Sequence, residues 1–189
     1  MKKFKKILLI SGCICVGLLI LFAVYWVGFR GLFAKNSLKD TLNAMTTGDY
    51  TGDFYYANSN GAIQKYLDTS ELGYLTLTKS KFEVEECDLV WNSFEATATI
   101  NVSYPNVYQL FNELYATADT VHTTEEINQT LVDALNNESD IDYCEETIEV
   151  TIVQYGTKWY LIENEALMDV YSGGLYSEYK NALSEMLAE

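Results

Sequence analysis

His122 is the sole histidine of the chain, in a polar stretch beside Thr123. One histidine in that setting supplies neither a Ser-His-Asp relay nor a Cys-His nucleophile pair. A His/Cys zinc site fails for the same reason, and no C-x-x-C follows residue 36. No glycine-rich phosphate loop follows an extended segment. The densest acids are Glu138, Asp140, Asp142, Glu145 and Glu146, between residues 136 and 146. Hard oxygen ligands suit Ca²⁺, and Asp140, Asp142 and Glu145 are the candidates. The D-x-[DN]-x-[DN]-G spacing is absent, which favours a solvated acidic loop. Four aromatic residues, Trp91, Phe94, Tyr104 and Trp159, fall on one face of the strands described next. They read first as core, and as the lining of a small apolar ligand site if a hollow opens beside them. No residue is assigned a catalytic role and no cofactor is called for.

The elements that position these groups follow from periodicity. Leu38, Thr41, Leu42 and Met45 share a helix face, with Asn36 or Ser37 as cap and Gly48 as terminator. A shorter helical stretch opens at Asp49-Tyr50, and residues 72–78 fit either helix or extended chain. Phe82, Val84, Cys87, Leu89 and Trp91 return to one face of a strand if a bulge falls at Glu85-Glu86. Ala96, Ala98, Ile100, Val102 and Tyr104 alternate cleanly, and a turn at Asn92-Ser93 sets Cys87 opposite Ala98. Val107, Leu110, Phe111 and Leu114 mark a helix, and Thr123-x-x-Glu126 is a capping box opening another. Ile148, Val150 and Ile152 form a third inward face. A turn at Tyr155-Gly156 predicts Trp159 beside Ile152 and Leu161 beside Val150. Asn164 caps a short helix, Gly173-Gly174 breaks it, and Leu175, Tyr179, Ala182, Leu183 and Met186 stripe a last one. Segregated helices and an antiparallel sheet mean α+β. In a four-stranded meander Cys87 and Cys144 lie too far apart to bridge, which predicts two free thiols.

Residues 7–29 are uncharged and mostly apolar, and Lys2, Lys3, Lys5 and Lys6 precede them. About 20 apolar residues cross a bilayer, and flanking lysines stay in the cytoplasm. The expected division is a cytoplasmic tail (1–6), a transmembrane helix (7–29), a short linker (30–35) and an extracytoplasmic domain (36–189). Ile10-Ser11-Gly12-Cys13 also fits a lipobox with Cys13 as the lipidation site, but the apolar run continues well past it.

From residue 36 onward the chain has six lysines and all 27 acidic residues, a net charge of −21. Such a domain repels nucleic acid. The chain's 15 tyrosines, all but Tyr25 in this domain, and its single proline exclude a disordered stalk.

Leu42-Asn43-Ala44-Met45 followed by Gly48-Asp49-Tyr50, and the ending Lys158-Trp159-Tyr160-Leu161-Ile162 with Leu167 and Gly173-Gly174, resemble NTF2-like (cystatin-like) domains of small Gram-positive envelope-anchored proteins. The resemblance implies a curved four-stranded sheet wrapped on a long helix around a cone-shaped cavity. Together with the apolar span, the six-residue linker and the scarcity of inward acids, the resemblance points to a non-catalytic, membrane-anchored binding or assembly module of the cell envelope, attached through its N-terminal helix and meeting a lateral protein partner. Two alternatives share that fold. One is a subunit of an envelope-spanning secretion or conjugation machine. The other is an isomerase- or hydratase-like enzyme, which in similar enzymes uses a carboxylate and a tyrosine inside the cavity. Such a base needs a buried carboxylate. Glu146, at a strand end, is the one acid on the inward strand faces, while Asp53 and Asp68 could reach in from helices.

Overall fold

The computed structural model describes residues 14–48, 70–90, 93–115, 123–137 and 141–188. Strands β1 (Lys81–Leu89), β2 (Glu95–Pro105), β3 (Tyr143–Tyr155) and β4 (Lys158–Ile162) pair antiparallel in chain order. Around them lie helices α1 (Arg30–Thr47), α2 (Glu71–Lys79), α3 (Val107–Tyr115), α4 (Thr124–Asn136), α5 (Glu165–Ser172) and α6 (Leu175–Ala188). Residues 14–24 are also α-helical, and a π-helical turn, Tyr25–Phe29, joins them to α1. The fold is α+β, a small domain with a four-stranded antiparallel sheet and several helices.

The membrane-spanning helix expected over residues 7–29 is corrected. Among the described residues no helix is long and apolar enough to cross a membrane. The π-turn then interrupts the regular helix, and α1 beyond it carries Arg30, Lys35, Lys39 and Asp40. The single-pass topology, the membrane as partner, the extracytoplasmic location and the membrane-anchored function all rested on that span and fall with it. Residues 7–13, including Cys13 and its lipobox, lie outside the described residues, as does the stretch 49–69.

Alternation places the sheet's apolar face inward. Val84, Ala96, Ala98, Ile100, Val102, Ile148, Val150, Ile152, Trp159 and Leu161 are buried there. Ala34, Leu38, Leu42 and Met45 of α1 pack on them, with Leu77 of α2 and Leu167, Val170 and Tyr171 of α5 completing the core. Each fully buried leucine or methionine stabilises by about 1.5–3 kcal/mol. Residues 30–35, read from sequence as a linker, form the first turns of α1. Ser37 does not cap; its hydroxyl points to the Trp159 carbonyl at 3.5 Å. Gly48 ends α1 at φ 71°, where its N–H reaches the carbonyls of Ala44 and Met45.

The bulge in β1 lies where the apolar pattern requires it. Pairing passes from Val84↔Ile100 to Glu86↔Thr99, so Glu85 is the extra residue and Cys87 faces Ala98. The second hairpin differs from expectation by two residues. Leu161 pairs with Ile152 and Trp159 with Gln154, because the turn falls at Gly156-Thr157 with Gly156 at φ 64°. A shift of two preserves the inward face, so the apolar pattern does not distinguish the two registers. Cys87 pairs with Ala98, and Cys144 with Tyr104 six positions further along β2. At about 3.3 Å per residue that is roughly 20 Å, beyond disulfide reach. Both thiols are free.

The helical insertion builds a second apolar cluster. Val107 of α3 and Leu131, Val132 and Leu135 of α4 meet Leu72 of α2, with Leu110, Phe111 and Ile127 against them. Both halves of the predicted capping box form: the Thr123 hydroxyl accepts from the Glu126 N–H, and the Glu126 carboxylate accepts from the Thr123 N–H.

Candidate functional site

The three described aromatic candidates, Phe94, Tyr104 and Trp159, do not converge on one hollow. Phe94 and Trp159 stand at the turn end of the sheet, where they join Trp26 around a guanidinium. The Arg30 Cζ lies 5.1 Å from the Trp26 ring, 5.2 Å from Phe94 and 5.3 Å from Trp159. Arg30 Nε donates to Gln154 Oε1, and Nη2 donates to the Ser93 carbonyl, both at 2.7 Å. Trp26 and Arg30 are four apart on consecutive helical segments and so share a face. Lysine would not substitute, because only a planar guanidinium stacks on rings while donating two in-plane hydrogen bonds. The signal that could have located this cage is that Arg30 is the only arginine in the chain. It fastens the helical segment leading into α1 to both hairpin turns. Trp91 lies outside the described residues.

Tyr104 occupies the opposite end of β2. Its hydroxyl donates to Glu146 Oε1 at 3.0 Å, and Cys144 sits directly across from it. The arrangement has the parts of a proton relay, yet its electrostatics oppose that role. Burial pushes the Tyr104 phenol well above its ordinary value, and the hydrogen bond to the Glu146 carboxylate adds to the shift. Burial likewise raises the Cys144 thiol; Glu146, Asp169 and Asp142 push it further up, and the Tyr104 hydroxyl works against them. Neither group ionises readily near neutral pH, so the thiol is a poor nucleophile. Glu146 is exposed rather than buried.

These shifts carry a stability consequence. The folded protein holds Tyr104, Cys144 and Cys87 protonated, each with its pKa raised. The stability they contribute is full below their ordinary values, 9.0 for the thiols and 10.0 for the phenol. It is lost as pH rises through those values toward the folded ones. Urea midpoints are expected to be flat from pH 7 to 8.5 and to fall above pH 9. The fall is expected to be shallower in Tyr104→Phe; an identical alkaline profile in that variant would contradict the assignment.

The outward face of the sheet is polar. Thr97, Thr99, Asn101 and Ser103 run along β2, flanked by Glu83, Glu86 and Asp88 of β1 and by Glu145 and Glu149 of β3. The Thr147 hydroxyl donates to Asn101 Oδ1 at 2.7 Å, and Asn101 Nδ2 donates to Glu85 Oε1 at 2.6 Å. A shallow hollow of about 690 Å³ opens here over Lys81, Glu83, Ser103, Glu145 and Thr147. Of the Ca²⁺ candidates, Glu145 reaches this hollow, Asp142 accepts from Gln109 Nε2 at 2.8 Å, and Asp140 lies outside the described residues. Among the described residues no three His, Cys, Asp or Glu side chains are placed to hold a metal ion.

The C-terminal helix α6 leaves large apolar side chains exposed. Its first turn packs on α5 and α3, and Lys180 pairs with Glu165 of α5. Beyond that turn the apolar stripe faces water: Tyr179 is 69% exposed, Met186 74% and Leu187 79%, with Leu183 beside them. Periodicity identified the stripe but gave no sign that the domain leaves it uncovered. Residues 14–29 show a second apolar surface, including Leu19, Leu21, Phe22 and Phe29. No family model, curated protein or solved structure matches the chain.

Proposed function

We propose that the domain is a non-catalytic assembly module that docks another protein through the exposed apolar face of α6. The observation carrying this reading is the set Tyr179, Leu183, Met186 and Leu187, large side chains on one helix face and all exposed. Spaced four, three and one apart, they line one side of α6 as a continuous exposed apolar surface, the kind of feature that marks an interaction site. The rest of the domain supplies rigidity: the inward sheet face is filled by α1, α2 and α5. The exposure of Glu146 and the raised phenol and thiol count against a proton-transfer enzyme. The sheet laid against α1 and the closing strand Lys158–Ile162 support a likeness to NTF2-like binding modules.

The test is site-specific photocrosslinking in intact cells. A crosslinker at Met186 is expected to give one discrete adduct, whereas one at Glu83 on the polar sheet face gives none. Tyr179→Glu combined with Met186→Glu is expected to abolish any co-migrating complex while leaving the melting temperature unchanged, since neither side chain is buried. Equal labelling from both positions, or a complex indifferent to the double variant, would remove α6 from the interface.

A further inference from the structure

We infer that the partner element docking on α6 is a basic amphipathic helix of a different protein, an inference that rests on the docking role proposed for α6. The seam is helical in spacing. Tyr179, Ala182 and Met186 recur at intervals of three and four, the pattern that seats knobs from a facing helix, and continue the stripe begun by Leu175, which is itself packed in the domain's second apolar cluster. Leu183 and Leu187 widen the seam on one side.

The two borders of the seam differ in charge. Glu178 and Glu185, seven residues apart, line one border. Lys180 on the other border is tied to Glu165, so its charge is already neutralised within the domain. A facing helix therefore meets an apolar strip with carboxylates along one side. Lysine or arginine on the matching flank pairs with them, while acids there are repelled. The whole-domain field acts in the same direction, since the chain from residue 36 onward has six lysines against 27 acids.

The same charges exclude a second copy as the favoured occupant. An antiparallel pair of α6 helices sets Glu178 against Glu185 of the other copy, and two strongly acidic domains must approach closely. A strand is a poor occupant too, because the seam offers side chains and no free backbone edge.

The experiment uses the full chain and two synthetic helices with one apolar face, flanked by lysines in one peptide and by glutamates in the other. Binding is read by fluorescence anisotropy at low and at high salt. The lysine peptide is expected to bind about tenfold more tightly than the glutamate peptide, with an advantage that shrinks as salt screens the pairs. Glu178→Gln with Glu185→Gln is expected to erase that preference, while Met186→Glu weakens both peptides. If the lysine peptide binds the Gln variant as tightly as the parent, its attraction is to the domain's overall charge and the inference fails. If the parent binds both peptides equally, the basic partner is refuted and docking on α6 stands. Concentration-dependent dimers in sedimentation that Met186→Glu abolishes would make a second copy the occupant and overturn the inference. If neither peptide binds and the crosslinks at Met186 are also absent, the docking role itself fails.

Discussion

Replacing Gly173 with alanine is expected to cost about 3 kcal/mol, a large share of the 5–15 kcal/mol that holds a domain together. Gly173 follows α5 at φ 63°, where its N–H reaches the carbonyls of Asp169 and Val170. A side chain at that φ is strained by about 1 kcal/mol. The added Cβ would also collide with the Val107 side chain, 2.6 Å from its Cβ, and stand 2.8 Å from the Pro105 carbonyl oxygen. Val107 is fully buried in the second apolar cluster, and Pro105 ends the central strand β2, so neither can retreat. Overpacking of this kind adds about 1–3 kcal/mol. Gly48 is the control. It too has a positive φ, 71°, but its added Cβ would meet the outer end of the exposed Tyr74 side chain, 2.7 Å from the hydroxyl, rather than a buried valine and a strand carbonyl. Gly48→Ala should therefore cost only about 1 kcal/mol. Thermal melts of the two variants decide the matter, and equal losses would show that the α5–α6 break is not pinned between β2 and α3.

Trp159→Ala is expected to cost about 3–5 kcal/mol, the range for deleting a buried aromatic side chain. Trp159 is buried on the inner face of β4 and forms one wall of the enclosure around Arg30. Its loss removes core volume and opens the cation's cage together. Arg30→Ala separates the two effects, because it empties the cage and leaves the core intact. That variant should cost about 1–2 kcal/mol, for stacked rings and two hydrogen bonds on a partly desolvated cation. Arg30→Lys should recover little of it, since an ammonium cannot serve Gln154 and Ser93 while lying flat on the rings. Urea denaturation gives the order. An Arg30→Ala variant as stable as the parent would mean the cage is incidental to how the N-terminal helix meets the sheet.

Much of this architecture is legible in the chain because the apolar face of each strand is written at period two. The alternation of Ala96 to Tyr104 and the bulge that restores Cys87 to the inward face both follow from it. Capping chemistry is equally local, so Thr123 with Glu126 and Asn164 with the Leu167 N–H could be read directly. The second hairpin shows the limit of period two, since a two-residue shift leaves every face unchanged. The Arg30 cage was hidden for another reason. Its partners Gln154 and Ser93 lie 124 and 63 residues away, and no local pattern links them. The apolar run before Arg30 misled because hydropathy averages over a segment and does not register a π-turn or the point where charge re-enters the helix. For α6, amphipathicity names the apolar face without saying whether the same chain covers it.

The carboxylates on the outward sheet face have a consequence for structures the protein does not adopt. A strand slipped by a single residue turns its outward side chains inward. In β1 that slip would thrust Glu83, Glu86 and Asp88 against Leu38 and Leu42 of α1; in β3 it would bury Glu145 and Glu149. Unpaired charges in that interior cost several kcal/mol each, as much as the whole margin of stability. The correct pairing needs no large preference of its own, because its nearest competitors are so expensive. The acids that give this surface its charge also guard the chain against misfolding.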